Sequence, residues 1–202
     1  MKIPAQTLYK YIDMIKKQKL FWKYAQVNNA CQVGMSMDRY YSDIYPLAFW
    51  AKTLHIVEAN SLNIQILKSR FHPKNILIYN FFASNTEKDQ IKLVWKNRLQ
   101  ESVSMNYCTY IHQYSTHVIS RKLDHIPKLD FICITVNGAE YEVLQGATEH
   151  LKQGTTIMWV GNRRYSNSYC IDHDAEIIRL LKHYKYKITN YPGYTQDLFI
   201  GE

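Results

Sequence analysis

The residues best placed to do chemistry are two carboxylates: Glu58, which closes the run TLHIV, and Glu140, which follows Gly138 in ITVNGAEYEVLQGA. A carboxylate at a strand end can accept two hydrogen bonds from a vicinal diol such as ribose. It can equally help to cap the helix that begins at Ser61. Both readings stand at this stage. Glu140 lies one turn before the apolar positions Val143, Leu144, Ala147 and Leu151, where the positive end of a helix dipole favours negative charge. There it either ties down the loop by accepting backbone amides or faces a ligand. The segment NNACQVG offers small residues and a glycine, which let a backbone turn approach a ligand closely, although it matches no dinucleotide or phosphate fingerprint. His112, His117 and His125 are candidates for moving a proton. Arg163 and Arg164 in GNRRYSNSY could grip an anionic substrate through paired donors. The cluster DHDAE, residues 172–176, reads as the start of a helix, with Asp172 as cap and Asp174 and Glu176 in the first turn, and no metal is expected there.

Such groups need strand ends to hold them. Residues 5–24 show helical apolar spacing, so residues 1–23 are expected to form a leading amphipathic helix. YAQVNNACQVGM reads as a short strand ending in a turn of small and amide residues. DRYYSDIYPLAFWAK reads as a helix interrupted near Pro46. TLHIVEAN predicts a strand, SLNIQILKSRF a helix, and KNILIYNFFAS one near-continuous strand. Between Asn85 and His117 the pattern turns to polar strands and turns, with QIKLVW the clearest. LDFICITVNG is then a strand, Ala139 to about Lys152 a helix, TTIMWVG a strand and HDAEIIRLLKHY a helix. KITNY and QDLFIG form a hairpin around PGYT. This alternation predicts an α/β fold, a doubly wound sheet of about seven strands covered on both faces, with a C-terminal antiparallel hairpin. Ligands of such sheets gather beyond the carboxyl ends of the strands, where strand order reverses.

With 202 residues, 47% of them hydrophobic and 21% charged, the chain is expected to build one core and hence one domain, residues 1–202. No run approaches the roughly 20 apolar residues of a membrane span, and the N-terminus has no signal-peptide pattern, so a soluble cytoplasmic chain is expected. The four cysteines show no paired spacing and read as buried reduced thiols. A net charge of +8 and 17 tyrosines leave nucleic acid possible as a partner, but the basic residues are scattered and no recognition module is present.

LDFICITVNGAEYEVLQGA, residues 129–147, resembles the signature of the FkbM-type S-adenosylmethionine-dependent methyltransferases, D-F-I-K-I-D-V-E-G-A-E-x-x-V-L-x-G-A. HIVEANSLNIQIL resembles the same family's I-x-x-V/I-E-P-x-P-x-N-x-x-x-L, with Glu58, Asn63 and Leu67 in place. SRKLDHI resembles its T-L-D segment through Leu123 and Asp124. The likeness implies a Rossmann-like methyltransferase fold, S-adenosylmethionine as cofactor, and methyl transfer to the hydroxyl of a small molecule or sugar. It implies a cofactor pocket of Asn28, Ala30, Gln32, Gly34, Glu58, Ala59 and Asn80, with NNACQVG aligned on the family's D-V-G-A-N-x-G. It implies substrate contacts from Thr135, Asn137, Arg163 and Arg164, and proton transfer by Glu140 and a histidine, His125. In that alignment Thr135 and Asn137 stand where the family has aspartate and glutamate. The alternative is a catalytically degenerate relative that binds or scaffolds, with a polyanion as its partner.

Overall fold

The computed structural model describes residues 26–35, 40–70, 74–95, 103–104, 114–136, 138–159, 173–190 and 197–200, together with Ile15. Apart from Ile15, the leading helix expected over residues 1–23 lies outside the described residues. So do Cys108, Cys170, His112, Asn137, Arg163 and Arg164.

Strands and helices alternate from the start. β1 (Asn29–Val33) is followed by α1 (Tyr40–Trp50), β2 (Thr53–Val57), α2 (Ser61–Arg70) and β3 (Ile76–Tyr79). Four further strands, β4 (Phe82–Ala83), β5 (Lys88–Trp95), β6 (Val103–Ser104) and β7 (Tyr114–Arg121), come next. The first pattern then resumes with β8 (Phe131–Ile134), α3 (Glu140–Gln145), α4 (Thr148–Lys152), β9 (Thr156–Trp159), α5 (Asp174–His183), β10 (Lys187–Asn190) and β11 (Asp197–Ile200). Seven of these strands form one sheet in the order β10-β11-β9-β8-β1-β2-β3. The five strands from β9 to β3 are parallel, and β11 runs antiparallel to both its neighbours, which makes the C-terminal hairpin.

Helices on both faces explain why the inner strands are apolar throughout. On one face Ile44, Leu47 and Trp50 of α1 and Leu67 of α2 cover Ala30, Leu54, Ile56, Phe131 and Cys133, with Trp50 edge-on to Phe131 at 5.1 Å. On the other, Val143, Leu144, Leu151, Ile177 and Leu181 cover Cys31, Val33, Val57, Ile132, Ile134 and Ile157. Each large side chain buried this way contributes about 1.5–3 kcal/mol. Cys31 and Cys133 are buried free thiols on opposite faces of the sheet. Burial, and then the neighbouring Cys133, push the Cys31 thiol far up from its ordinary range.

Local structure departs from the sequence expectation in four places. The small and amide residues of NNACQVG are not a turn after the first strand; Asn29–Val33 is the strand itself, paired on both sides. Pro46 does not interrupt α1, because the apolar stripe of Ile44, Leu47 and Trp50 anchors the helix on either side of the missing donor. The run KNILIYNFFAS breaks after Tyr79, where the Asn80 side-chain amide donates to the carbonyls of Glu58 and Ala59, both at 3.0 Å. The helix expected from Ala139 to Lys152 divides at Gly146, which rests on the backbone of Ser84 so closely that a Cβ there would meet the Ser84 carbonyl oxygen at 2.1 Å.

Ser84 directly follows β4 of a second sheet, order β4-β7-β5-β6, which the sequence pattern does not announce as a separate layer. The Ser120 hydroxyl closes it by donating to Thr86 O at 2.7 Å and accepting from Lys88 N at 3.0 Å. Its apolar side places Phe82 and Leu93 on Ala139, next to Ala59 and Val136. The second sheet therefore stands against the carboxyl ends of β2 and β8.

Candidate cofactor and acceptor crevice

The chain passes from β1 outward to β2 and β3, then returns to the other side of β1 as β8, so strand order reverses between β1 and β8. A crevice at the carboxyl ends of these strands is where an open α/β sheet binds its ligand. β1 ends in a turn at Gly34, whose φ of +74° lies in the left-handed region that favours glycine. Its N–H donates to Val57 O at 2.8 Å and the next N–H, of Met35, donates to Glu58 Oε2 at 3.0 Å. The turn is thus stitched to the end of β2.

Glu58 is the hub of this stitching. Its Oε1 accepts the N–H of Asn60 at 2.6 Å, and the Asn63 side chain and Ala59 N–H also turn toward the carboxylate. Asn60 in turn accepts from Leu62 N at 3.0 Å, so Asn60, not Glu58, caps α2. Burial pushes the Glu58 carboxyl up to about 7 against the pull of these donors. Among the described residues, three buried polar atoms near the strand ends lack a partner: Gln32 Oε1, Asn60 Nδ2 and Asn63 Oδ1. Buried polar groups are nearly always bonded, so these atoms are acceptors and a donor that a polar ligand could satisfy.

The geometry gathers Gln32, Gly34, Glu58 and Ala59 at the crevice, with Asn80 fixing the backbone of the loop. It removes two of the expected cofactor residues. Asn28 lies at the amino end of β1, where its N–H and that of Asn29 donate to Asp130 Oδ2 at 3.0 and 2.9 Å, at the opposite end of the strands from the crevice. Ala30 is fully buried in the core beside Trp50. Because β1 continues to Val33, the turn that follows it is centred on Gly34. The signal available was the alternation in NACQV, masked by its small and amide residues. Met35 is the crevice residue that sequence reasoning missed, for it contributes only a backbone N–H.

The two residues expected to move protons are otherwise engaged. Glu140 is buried in the first turn of α3 and accepts backbone N–H groups, its own and that of Gly138. It ties down the loop rather than opening onto a ligand. Burial first, then the nearby Asp174 and Glu142, push its carboxyl up to about 8. His125 is exposed in the turn Leu123–His125 and pairs with Glu87. That turn is fastened by Asp124 N to Gly146 O, at the far end of α3 from the crevice. His117 is exposed on β7, opposite Lys92. Thr135, expected to touch substrate, directs its hydroxyl inward to Gly34 O at 2.9 Å. Asp174 and Glu176 lie in the first turn of α5 as expected, but the cap position is His173, and Asp172, expected there, lies outside the described residues.

These buried carboxyls fix a pH dependence. Glu58 and Glu140 hold protons when folded that they release when unfolded, so stability falls as pH rises from the ordinary carboxylate range toward 7 and 8. Burial, and then His150, lower the His55 imidazole, which costs stability only below its ordinary 6.5. Between pH 6.5 and 8.5 the carboxyls dominate, and the unfolding free energy is expected to drop by roughly 2–3 kcal/mol, at ~1.36 kcal/mol per pK unit. Urea melts across that range check this, and Glu140→Gln should flatten most of the slope. A flat profile in the parent protein would contradict the assignment.

No family model matches the chain, and no curated protein sequence matches it. Solved structures do. Methyltransferase FkbM from Methylobacillus flagellatus KT superposes with a TM-score of 0.53 at 14% identity, covering 88% of this chain and 44% of that one. An S-adenosylmethionine-dependent methyltransferase from Leishmania major gives 0.52 at 9% identity, covering 97% and 74%. A Streptococcus pneumoniae protein assigned as a tRNA methyltransferase gives 0.50 at 10%, covering 93% and 69%. The chain spans less than half the length of the first of these. The fold is the Rossmann-like α/β fold that these solved structures share. Among the described residues no helix is long and apolar enough to cross a membrane.

Proposed function

We propose that the chain is an S-adenosylmethionine-dependent methyltransferase acting on a hydroxyl of a small molecule or sugar. The observation that carries this reading is Glu58, a buried carboxylate at the carboxyl end of β2 that holds the Gly34 turn of β1 beside the point of strand reversal. A strand-end acid beside a glycine turn suits a ribose diol and the backbone-hugging remainder of a nucleoside. The vacant Gln32 Oε1 and Asn60 Nδ2 fit the donors and acceptors of such a ligand.

When bound, S-adenosylmethionine would supply a methyl group on a sulfonium, open to attack by a hydroxyl oxygen, with the neutral thioether as leaving group. The chain's part is positioning. Glu58 holds the ribose and Gly34 allows close backbone approach. Phe82, Leu93, Val136 and Ala139 form an apolar wall that keeps water from the mouth of the crevice. Arg163, Arg164 and Asn137 are proposed as acceptor contacts. With Glu140 buried and His125 paired to Glu87, the acceptor proton leaves to solvent or to a group outside the described residues. The test is incubation with methyl-labelled S-adenosylmethionine and two panels, hydroxylated small molecules and RNA. Label on a hydroxyl compound is expected. Label on RNA alone would replace the acceptor class, and cofactor binding without any transfer would favour the degenerate, binding-only reading.

A further inference from the structure

We propose that Gln32 and Thr135 form an uncharged latch that holds the Gly34 turn in its ligand-binding shape, making both of them positioning residues of the cofactor site. The inference rests on the reading of that site as an S-adenosylmethionine pocket and deepens it.

Three hydrogen bonds close a small ring. Gln32 Nε2 donates to Gly34 O at 2.7 Å and to Thr135 Oγ1 at 2.6 Å, and the Thr135 hydroxyl donates to Gly34 O at 2.9 Å. The directions are forced. A carbonyl can only accept, so the amide must turn its NH2 to Gly34 O, and the hydroxyl that accepts from Gln32 must spend its single proton on the same carbonyl. Meanwhile Gly34 N is held by Val57 O, so a left-handed residue is clamped from both sides, by β2 through its N–H and by β8 through its carbonyl. The fit is close, for a Cβ on Gly34 would stand 2.6 Å from Thr135 O.

The forced orientation leaves Gln32 Oε1 fully buried and without a partner beside the turn. An unbonded buried acceptor is costly in isolation and is filled when a ligand brings an N–H or O–H donor. Carboxylates would behave differently at these two positions. An ionised carboxylate at either position would offer Gly34 O no proton. Gln32 and Thr135 instead bond to one another and to the same carbonyl. The ring is neutral and needs both members.

The experiment is calorimetric titration with S-adenosylhomocysteine of the parent protein, Thr135→Val and Thr135→Ser, with thermal melts of each. Valine keeps the shape of threonine but removes both hydroxyl bonds. Thr135→Val is expected to weaken the ligand about tenfold, the effect of losing roughly 1.4 kcal/mol, while Thr135→Ser recovers affinity to within about threefold. Amide hydrogen exchange of Met35 should quicken in the valine variant alone. Parent-like affinity and exchange in Thr135→Val, with the parent binding normally, would overturn the latch and leave the cofactor reading intact. Equal losses in the serine and valine variants would also overturn it, since a hydroxyl would then not be what matters. Absence of binding by the parent protein would overturn the cofactor reading itself, and the latch with it.

Discussion

Replacing Gly34 with alanine is expected to destabilise the fold by about 3–4 kcal/mol and to leave no measurable binding of S-adenosylhomocysteine. Two effects add. A non-glycine residue at φ +74° carries a left-handed penalty of roughly 1–2 kcal/mol. The new methyl group would also stand 2.6 Å from Thr135 O and 2.7 Å from Val136 Cγ1, and overpacking of this kind costs about 1–3 kcal/mol. The Thr135 carbonyl cannot retreat easily, because Thr135 N donates to Val33 O and its hydroxyl is held in the ring with Gln32. Against a typical total of about 5–15 kcal/mol, the loss is large enough to read from urea melts. A change below about 1 kcal/mol would show that the turn has room the structure denies it.

The second large effect belongs to Glu58. Glu58→Ala is expected to weaken S-adenosylhomocysteine by roughly 30-fold, about 2 kcal/mol, the usual scale for hydrogen bonds to a charged group. It also strands the N–H groups of Met35 and Asn60, which are bonded to the two carboxylate oxygens. Loop disorder and lost ligand contact are therefore mixed in the alanine variant. Glu58→Gln separates them, since its one carbonyl oxygen can still accept one of the stranded amides. If the carboxylate holds ribose, the glutamine variant should melt closer to the parent than the alanine variant does, yet still bind the ligand weakly. Full affinity in Glu58→Gln would assign Glu58 to loop structure alone.

Much of this fold can be read from its periodicities. TLHIV, FICI and TIM are short apolar runs without a helical stripe, and they are strands buried in a parallel sheet. IIRLL and its flanks carry a helical stripe, and Ile177 and Leu181 are buried. The second sheet escaped because β5 and β7 alternate polar and apolar residues weakly, and because strand pairing across long loops is a tertiary property that no local pattern encodes. The break at Gly146 escaped for a similar reason. A glycine inside a helical pattern does not reveal that Ser84, about sixty positions earlier, will lie against it.

The candidate site was legible in part. Glu58 and Gly34 were singled out by residue type, and both are at the crevice. The register of the first loop was misplaced because Asn29–Val33, rich in small and amide residues, is a poor strand by propensity and is held as one by pairing on both sides. Asn28 therefore precedes the strand instead of lying in the turn after it. Glu140 was correctly drawn to a helix start, but whether a carboxylate there faces a ligand or its own loop depends on burial, which spacing does not give. The pairing of Gln32 with Thr135 could not be read from either position alone.

The central claim is that the crevice between β1 and β2 holds the cofactor, and titration of the parent protein with S-adenosylhomocysteine by calorimetry tests it most directly. Saturable heat with one site per chain and micromolar affinity, accompanied by a rise in the thermal midpoint, is the predicted result. No heat and no thermal stabilisation with either S-adenosylhomocysteine or S-adenosylmethionine would contradict it.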